Sequence, residues 1–152
     1  MKESVFLLIF ILSESMLAQN NERIEVIRNH YQYVNENIDS FRIETEQTFE
    51  ESTEGAEIIK YYEGQDCLKI RLQYYGEMGK LFREYYIKDK MLLFAFDQLF
   101  SYNMPIYMDS VNAANSGFNE WFDQEKTKVE ESRFYFYDGK MIRWIASSGN
   151  HM

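Results

Sequence analysis

Few residues in this chain are of a type and spacing that could do chemistry. Thiol catalysis needs a cysteine beside a base, and the sequence holds one cysteine, Cys67, and two histidines, His30 and His151. Strand alternation puts Cys67 on the side of Lys69, Arg71 and Gln73, where cations would lower a thiol pKa. No histidine is expected beside it, so Cys67 reads as a small strand residue. His30 falls on the flank of a helical stripe and His151 near the C-terminus, so the closely placed Cys/His cluster that zinc requires is missing. Glu44, Glu46, Glu50, Glu51, Glu54 and Glu57 nearly alternate. Glycoside hydrolysis wants two carboxylates in a cleft with one pKa raised. Along a strand these six line a wet face instead, and a charged edge that discourages further strand pairing is expected. Asp109, Asn112, Asn115 and Asp123 offer oxygen ligands, but not at the spacing of a calcium-binding EF-hand loop. There is no phosphate-binding loop, dinucleotide fingerprint or nucleophile elbow. The residues predict no catalytic group, no metal site and no cofactor, and hence not an enzyme.

The whole-chain numbers agree with that. The chain has 152 residues, with 16 Lys and Arg against 25 Asp and Glu, a net charge of −9 that leaves no basic surface for nucleic acid. Twelve Phe, twelve Tyr and two Trp, with a single Pro, exclude a disordered or collagenous chain. One cysteine excludes a disulfide scaffold. Near the start, Val5 to Leu12 is an unbroken apolar run behind Lys2. Eight helical residues make about 12 Å, against about 30 Å of hydrocarbon core, which suits a secretory leader rather than a membrane span. Ala18 offers the cleavage point, although Glu3 and Met16 depart from the usual pattern, and Gln19 stands where a lipoprotein would carry its cysteine. The expectation is a signal peptide over residues 1–18, then a single α+β domain over residues 19–152. That domain would be exported, periplasmic or secreted, with no stable membrane insertion.

Chemistry aside, the elements are well marked. Ile24, Ile27, Tyr31, Val34 and Ile38 recur at spacings of three and four, which predicts a one-sided helix from about Asn21 to Ile38, capped by Asn20 or Asn21. From Phe41 the period drops to two, and strands follow over 41–50, 56–62, 68–75, 81–88, 91–100, 133–137 and 141–145. Asp138-Gly139 is the strongest hairpin signal. If residues 76–79 form a turn, Leu72 opposes Arg83 and Arg71 opposes Glu84. If Asp89-Lys90 is a two-residue turn, Tyr85 opposes Phe94. One face then collects Leu68, Ile70, Leu72, Tyr74, Leu81, Tyr85, Ile87, Leu92, Phe94 and Phe96, the expected core. Arg83 is the odd member, expected to stack on Phe96. From Asn103 to Lys128 the pattern breaks. Asp109 to Gly117 reads as a polar loop, Phe118, Trp121 and Phe122 as a short helix, and the whole as a lid or an edge crossover. The fold class is α+β: an N-terminal helix packed on a curved antiparallel β-meander of about six to eight strands.

Several stretches resemble a family of uncharacterised exported bacterial proteins with an N-terminal helix and an aromatic-rich antiparallel β-meander. These are Glu54-Gly55-Ala56-Glu57, Tyr75-Gly76-Glu77-Met78-Gly79-Lys80, Glu84-Tyr85-Tyr86, Leu92-Leu93-Phe94, Tyr102-Asn103-Met104-Pro105 and Ser132 to Trp144. In that family the central turn is commonly Asn-Gly, whereas Asp89-Lys90 stands here. The resemblance covers roughly residues 40–146, implies export, and brings no catalytic residues.

The second sheet face is the remaining lead. Arg71, Tyr75, Phe82, Glu84 and Tyr86, with Tyr135 and Trp144 from the last hairpin, gather the residue types that dominate protein interfaces. Either this face is a recognition surface, or the helix or the 103–128 connection covers it as a second layer. The expected function is an exported non-catalytic protein-binding module, an inhibitor being one form of it, whose partner is another envelope or extracellular protein. The alternative is a small-molecule carrier with an aromatic pocket between sheet and helix. Oligomeric state is left open.

Overall fold

The computed structural model describes residues 2–48 and 54–147, with side chains from Gln19 onward. The expected leader, and Phe49, Glu50 and Glu51, fall outside the described side chains. Seven antiparallel strands follow one another in sequence order: β1 (Arg42–Thr48), β2 (Ala56–Glu63), β3 (Asp66–Gly76), β4 (Gly79–Lys88), β5 (Met91–Ser101), β6 (Lys128–Tyr137) and β7 (Lys140–Ala146). A long helix, α1 (Lys2–Glu36), packs on one face of this open meander. The α+β reading is correct.

Ile24, Ile27 and Val34 are the buried stripe of α1, at 6%, 2% and 0% exposure, and Phe41 closes its C-terminal end against the same cluster. Because α1 runs through Asn20 and Asn21 without a break, neither caps it. Asn20 Oδ1 instead accepts from Arg23 Nη1 at 3.2 Å. Tyr31 sits on the rim of the stripe, with its ring 4.8 Å from that of Tyr86 and 5.5 Å from that of Phe94.

The β3–β4 register is as expected, Leu72 opposite Arg83 and Arg71 opposite Glu84, around a Glu77-Met78 turn. Gly79 is needed there, since a Cβ would collide with the Phe100 carbonyl oxygen. The β4–β5 register is not as expected. Ile87 meets Leu92 as the two-residue turn requires, but beyond a bulge Tyr86, not Tyr85, faces Phe94. Equivalent register shifts occur in the β2–β3 and β6–β7 hairpins. Each inserts one apolar residue, Leu68, Leu93 or Ile142, three residues after its turn. A bulge turns two successive side chains to one face, and all three inserted residues pack on the cluster beneath α1.

The bulges redistribute the expected core. Lys69, Tyr86, Phe94 and Tyr135 now share the helix-side face with Tyr61, and all are buried. Ile70, Leu72, Tyr74, Leu81, Tyr85, Phe134 and Trp144 lie on the opposite face, where they are only half-buried. Among the described residues, that face contributes only Ala56 and Ala95 to the buried set. The apolar face marked as core by alternation is the one α1 does not cover. Among the described residues its charges balance: Arg42, Lys60, Arg83 and Lys128 against Glu44, Glu46, Asp97 and Glu130. Glu44 and Glu46 do line the β1 edge, pairing with Arg42 and Lys60.

Residues 102–127 connect neighbouring strands β5 and β6, so they form an excursion and not a crossover. The expected helix and loop exchange places. The helix, α2 (Ser110–Asn115), lies where a polar loop was expected. Asp109 caps it, accepting from Val111 N at 3.0 Å and Asn112 N at 2.8 Å, and Gly117 at φ +77° ends it. Phe118, Trp121 and Phe122 are not helical, and Phe122 N is tied to Met108 O at 2.7 Å.

Candidate functional site

Beneath the C-terminal half of α1, strand order brings one polar group from each of four positions together. Lys69 on β3 and Glu84 on β4 form an ion pair at 2.9 Å, their side chains 5% and 17% exposed. Tyr86 donates to Glu84 Oε2 at 2.7 Å and accepts from Asn35 Nδ2 at 3.1 Å. Lys69 Nζ also donates to Asn35 Oδ1 at 3.1 Å, which ties the helix to the sheet. Burial holds the Lys69 ammonium below its ordinary pKa, opposed by the Glu84 carboxylate. Burial and the same carboxylate hold the Tyr86 hydroxyl well above the usual tyrosine range. The cluster is a buried, satisfied network, and such a network orients its neighbours instead of reacting.

Further along this face two rows of half-buried side chains run beside α1, about 7 Å apart by strand geometry. One row is Arg71, Glu84, Phe96 and Arg133, and the next is Gln73, Phe82, Gln98 and Glu131. The α1 helix bounds this strip on one side. On the other, Tyr102, Ile106 and Phe122 of the excursion pack around Lys80, Phe100 and Val129. The floor is a set of cations over aromatic rings: Arg71 lies 4.9 Å from the Phe82 ring centre and Arg133 5.2 Å from that of Phe96. Arg133 also binds Glu131 at 2.6 Å, while Arg71 Nε is buried, has no hydrogen-bond partner, and lies 3.9 Å from Glu84. Against the α1 wall the strip deepens into a pocket of about 200 Å³ among Ile27, Arg28, Tyr31, Phe94, Phe96, Arg133 and Tyr135.

The sequence-derived site residues divide three ways. Arg71, Tyr75 and Phe82 lie on the helix-side face beyond α1, and Glu84 is in register with Arg71 but tied into the buried Lys69–Tyr86 network. Tyr86 and Tyr135 share that face too, but are 0% and 6% exposed under α1. Trp144 lies on the opposite face, its ring stacked 5.9 Å from that of Phe134. The α1 helix thus covers the Tyr86 and Tyr135 half of this face as a second layer and leaves the rest of it half-buried. Arg83 stacks on no ring of the groove. It forms a two-point pair with Asp97 on the opposite face, at 2.7 and 2.5 Å.

The β5 bulge brings Phe96 opposite Arg133. Sequence reasoning grouped Arg133 with this face and set Phe96 in the core, but it missed Arg28. It also missed the outer surface of the excursion, whose signal was aromatics scattered through an Asn-rich connection. Burial pushes the Cys67 thiol up instead of activating it, because the β3 bulge sets it opposite Tyr62 and away from the face of Lys69. His30 is buried and its Nε2 hydrogen-bonds Ile87 O at 2.8 Å. Asp109 and Asp123 act as caps. Among the described residues no three His, Cys, Asp or Glu side chains come together as a metal set, and no helix is long and apolar enough to cross a membrane. Compared with known proteins, the chain matches no family model, no curated protein and no solved structure, so the resemblance rests on the residues that carry it.

Proposed function

We propose that this chain is an exported, non-catalytic protein-binding module, and that its partner, an envelope or extracellular protein, docks along the groove between α1 and the 102–127 excursion. One observation carries the reading. Tyr107, Val111, Phe118 and Trp121 of the excursion are 57%, 65%, 52% and 51% exposed, and the same excursion borders Lys80, Phe100 and Val129, the row next to a floor of arginines and aromatic rings. Long excursions on a rigid sheet commonly carry function, and clustered exposed apolar side chains mark interaction sites. Aromatic and arginine side chains supply most binding energy at interfaces. The pocket beside Arg28 suits an anchoring side chain with an apolar body and an anionic end. Crosslinking mass spectrometry of the full chain in envelope and secreted extracts identifies the partner, and binding is then measured with purified partner. Trp121→Ala and Arg71→Ala each weaken binding about 30-fold, the effect of a ~2 kcal/mol interface residue. Unchanged affinity in both variants contradicts the reading.

The pocket also favours a second reading, a carrier of small aromatic anions, because Arg28 and Arg133 flank an aromatic lining. At about 200 Å³ it falls below the ~300–1,000 Å³ of most ligand sites, which ranks this reading second. A rise in melting temperature with phenylacetate, lost in Arg133→Ala, would reverse the ranking.

A further inference from the structure

From the uncovered sheet face we infer that this chain is a homodimer, two copies packing that face against itself as a two-layer sandwich with α1 on each outer side. An antiparallel sheet ordinarily buries one apolar face and wets the other. Here the helix-side face, which is buried in part, carries Lys69, Arg71, Gln73, Glu84, Gln98 and Glu131. The opposite face is the more apolar of the two and has no covering layer among the described residues.

Size and charge select a second copy as the occupant. Six strands about 4.8 Å apart, with eight residues at about 3.4 Å each, make a face of roughly 800 Å². That matches the ~800 Å² per partner of a standard interface, and stacked sheets fit at about 10 Å with strands within about 30°. The chain carries −9 overall, yet this face holds equal numbers of described cations and anions. It is thus a place where two acidic copies meet without like-charge repulsion. Arg83 and Asp97 sit on β4 and β5 near the middle of the seven-stranded sheet. A two-fold axis there sets each Arg83–Asp97 pair beside its own copy, so that each guanidinium meets the other's carboxylate, the self-complementarity a two-fold interface demands. The groove on the α1 side stays free, so the dimer goes beyond the proposed function and does not depend on it.

The test is the mass of the full chain by sedimentation equilibrium, between about 1 and 100 µM. The expected result is twice the 18.3 kDa chain mass, with Leu72→Glu weakening self-association at least 100-fold and Gln73→Glu, on the other face, leaving it intact. Leu99→Glu is the second variant, since Leu99 is on the same face and already 43% exposed, so its fold tolerates the charge. Monomer mass throughout the range overturns the inference. So does a dimer that survives both Leu72→Glu and Leu99→Glu, because it must then use another surface.

Discussion

Replacing Lys69 by Met keeps the length of the side chain and removes its charge from beneath α1. The ammonium lies 2.9 Å from Glu84 and 3.1 Å from Asn35 Oδ1, with the Tyr86 ring centre 4.8 Å away, in a side chain 5% exposed. Removing one partner of a buried ion pair generally destabilises by about 3–5 kcal/mol, because the other charge stays buried without compensation. Glu84 keeps the Tyr86 hydroxyl at 2.7 Å and the more distant Arg71, which places Lys69→Met near ~3 kcal/mol. Glu84→Gln strands the ammonium instead, with a loss of similar size. The double variant buries no charge, and the amide carbonyl that replaces the carboxylate still accepts from Tyr86, so it loses about 1 kcal/mol. The singles and the double then differ by a coupling energy of several kcal/mol. Urea unfolding followed by far-UV circular dichroism, with an unchanged m-value, reads each term. If Lys69→Met loses no more than ~0.5 kcal/mol, the pair behaves as a solvated surface pair, and α1 does not cover this part of the face.

Three other outcomes follow from local geometry. Lys90 sits at φ +62° in the β4–β5 turn, a conformation that strains a side chain; Lys90→Gly therefore raises stability by about 0.5–1 kcal/mol in the same unfolding assay. Burial depresses the His30 pKa below its ordinary 6.5, against the hydrogen bond to the Ile87 carbonyl. The unfolded chain then binds a proton before the folded one, so stability is complete above pH 6.5 and declines as pH falls through the window between the ordinary and depressed values. His30→Gln flattens that slope below pH 6.5. Asp109→Ala removes the cap of α2 and destabilises it by about 1 kcal/mol, which faster amide exchange at Val111 and Asn112 reports.

Period and turn chemistry made most of the architecture legible. The three-and-four spacing of Ile24, Ile27 and Val34 identifies the buried stripe of α1, and Asp138-Gly139 identifies the last hairpin, both central residues at positive φ. Alternation also separates two faces in β3 and β4, where no residue is inserted beyond Lys69. It cannot detect Leu68, Leu93 or Ile142, because a one-residue bulge keeps the composition of a strand while reversing the face of everything beyond it. That single effect moved Phe94 and Phe96 from the Leu92 side to the helix side, and with them the core. The exchange of helix and loop within 102–127 has a different origin. Asp109 and Gly117 were present as stop signals, but Phe118 and Trp121 at helical spacing outweighed them. Half of the candidate site was legible as Arg71, Tyr75, Phe82 and Glu84. Which part of that face the helix covers depends on tertiary packing, and no residue spacing encodes it.

The central claim is that α1 covers the face of Lys69, Glu84 and Tyr86 and leaves the more apolar face open, since both the groove and the dimer depend on it. Tyr85 and Tyr86 are neighbours in β4 that point to opposite faces, Tyr85 half-buried and Tyr86 fully buried. Hydroxyl-radical footprinting of the full chain, diluted until it sediments as a monomer, reads both at once. The account predicts oxidation at Tyr85 and Trp144 and protection at Tyr86 and Tyr135. Oxidation of Tyr86 with protection of Tyr85 would place the helix on the other face and contradict the account.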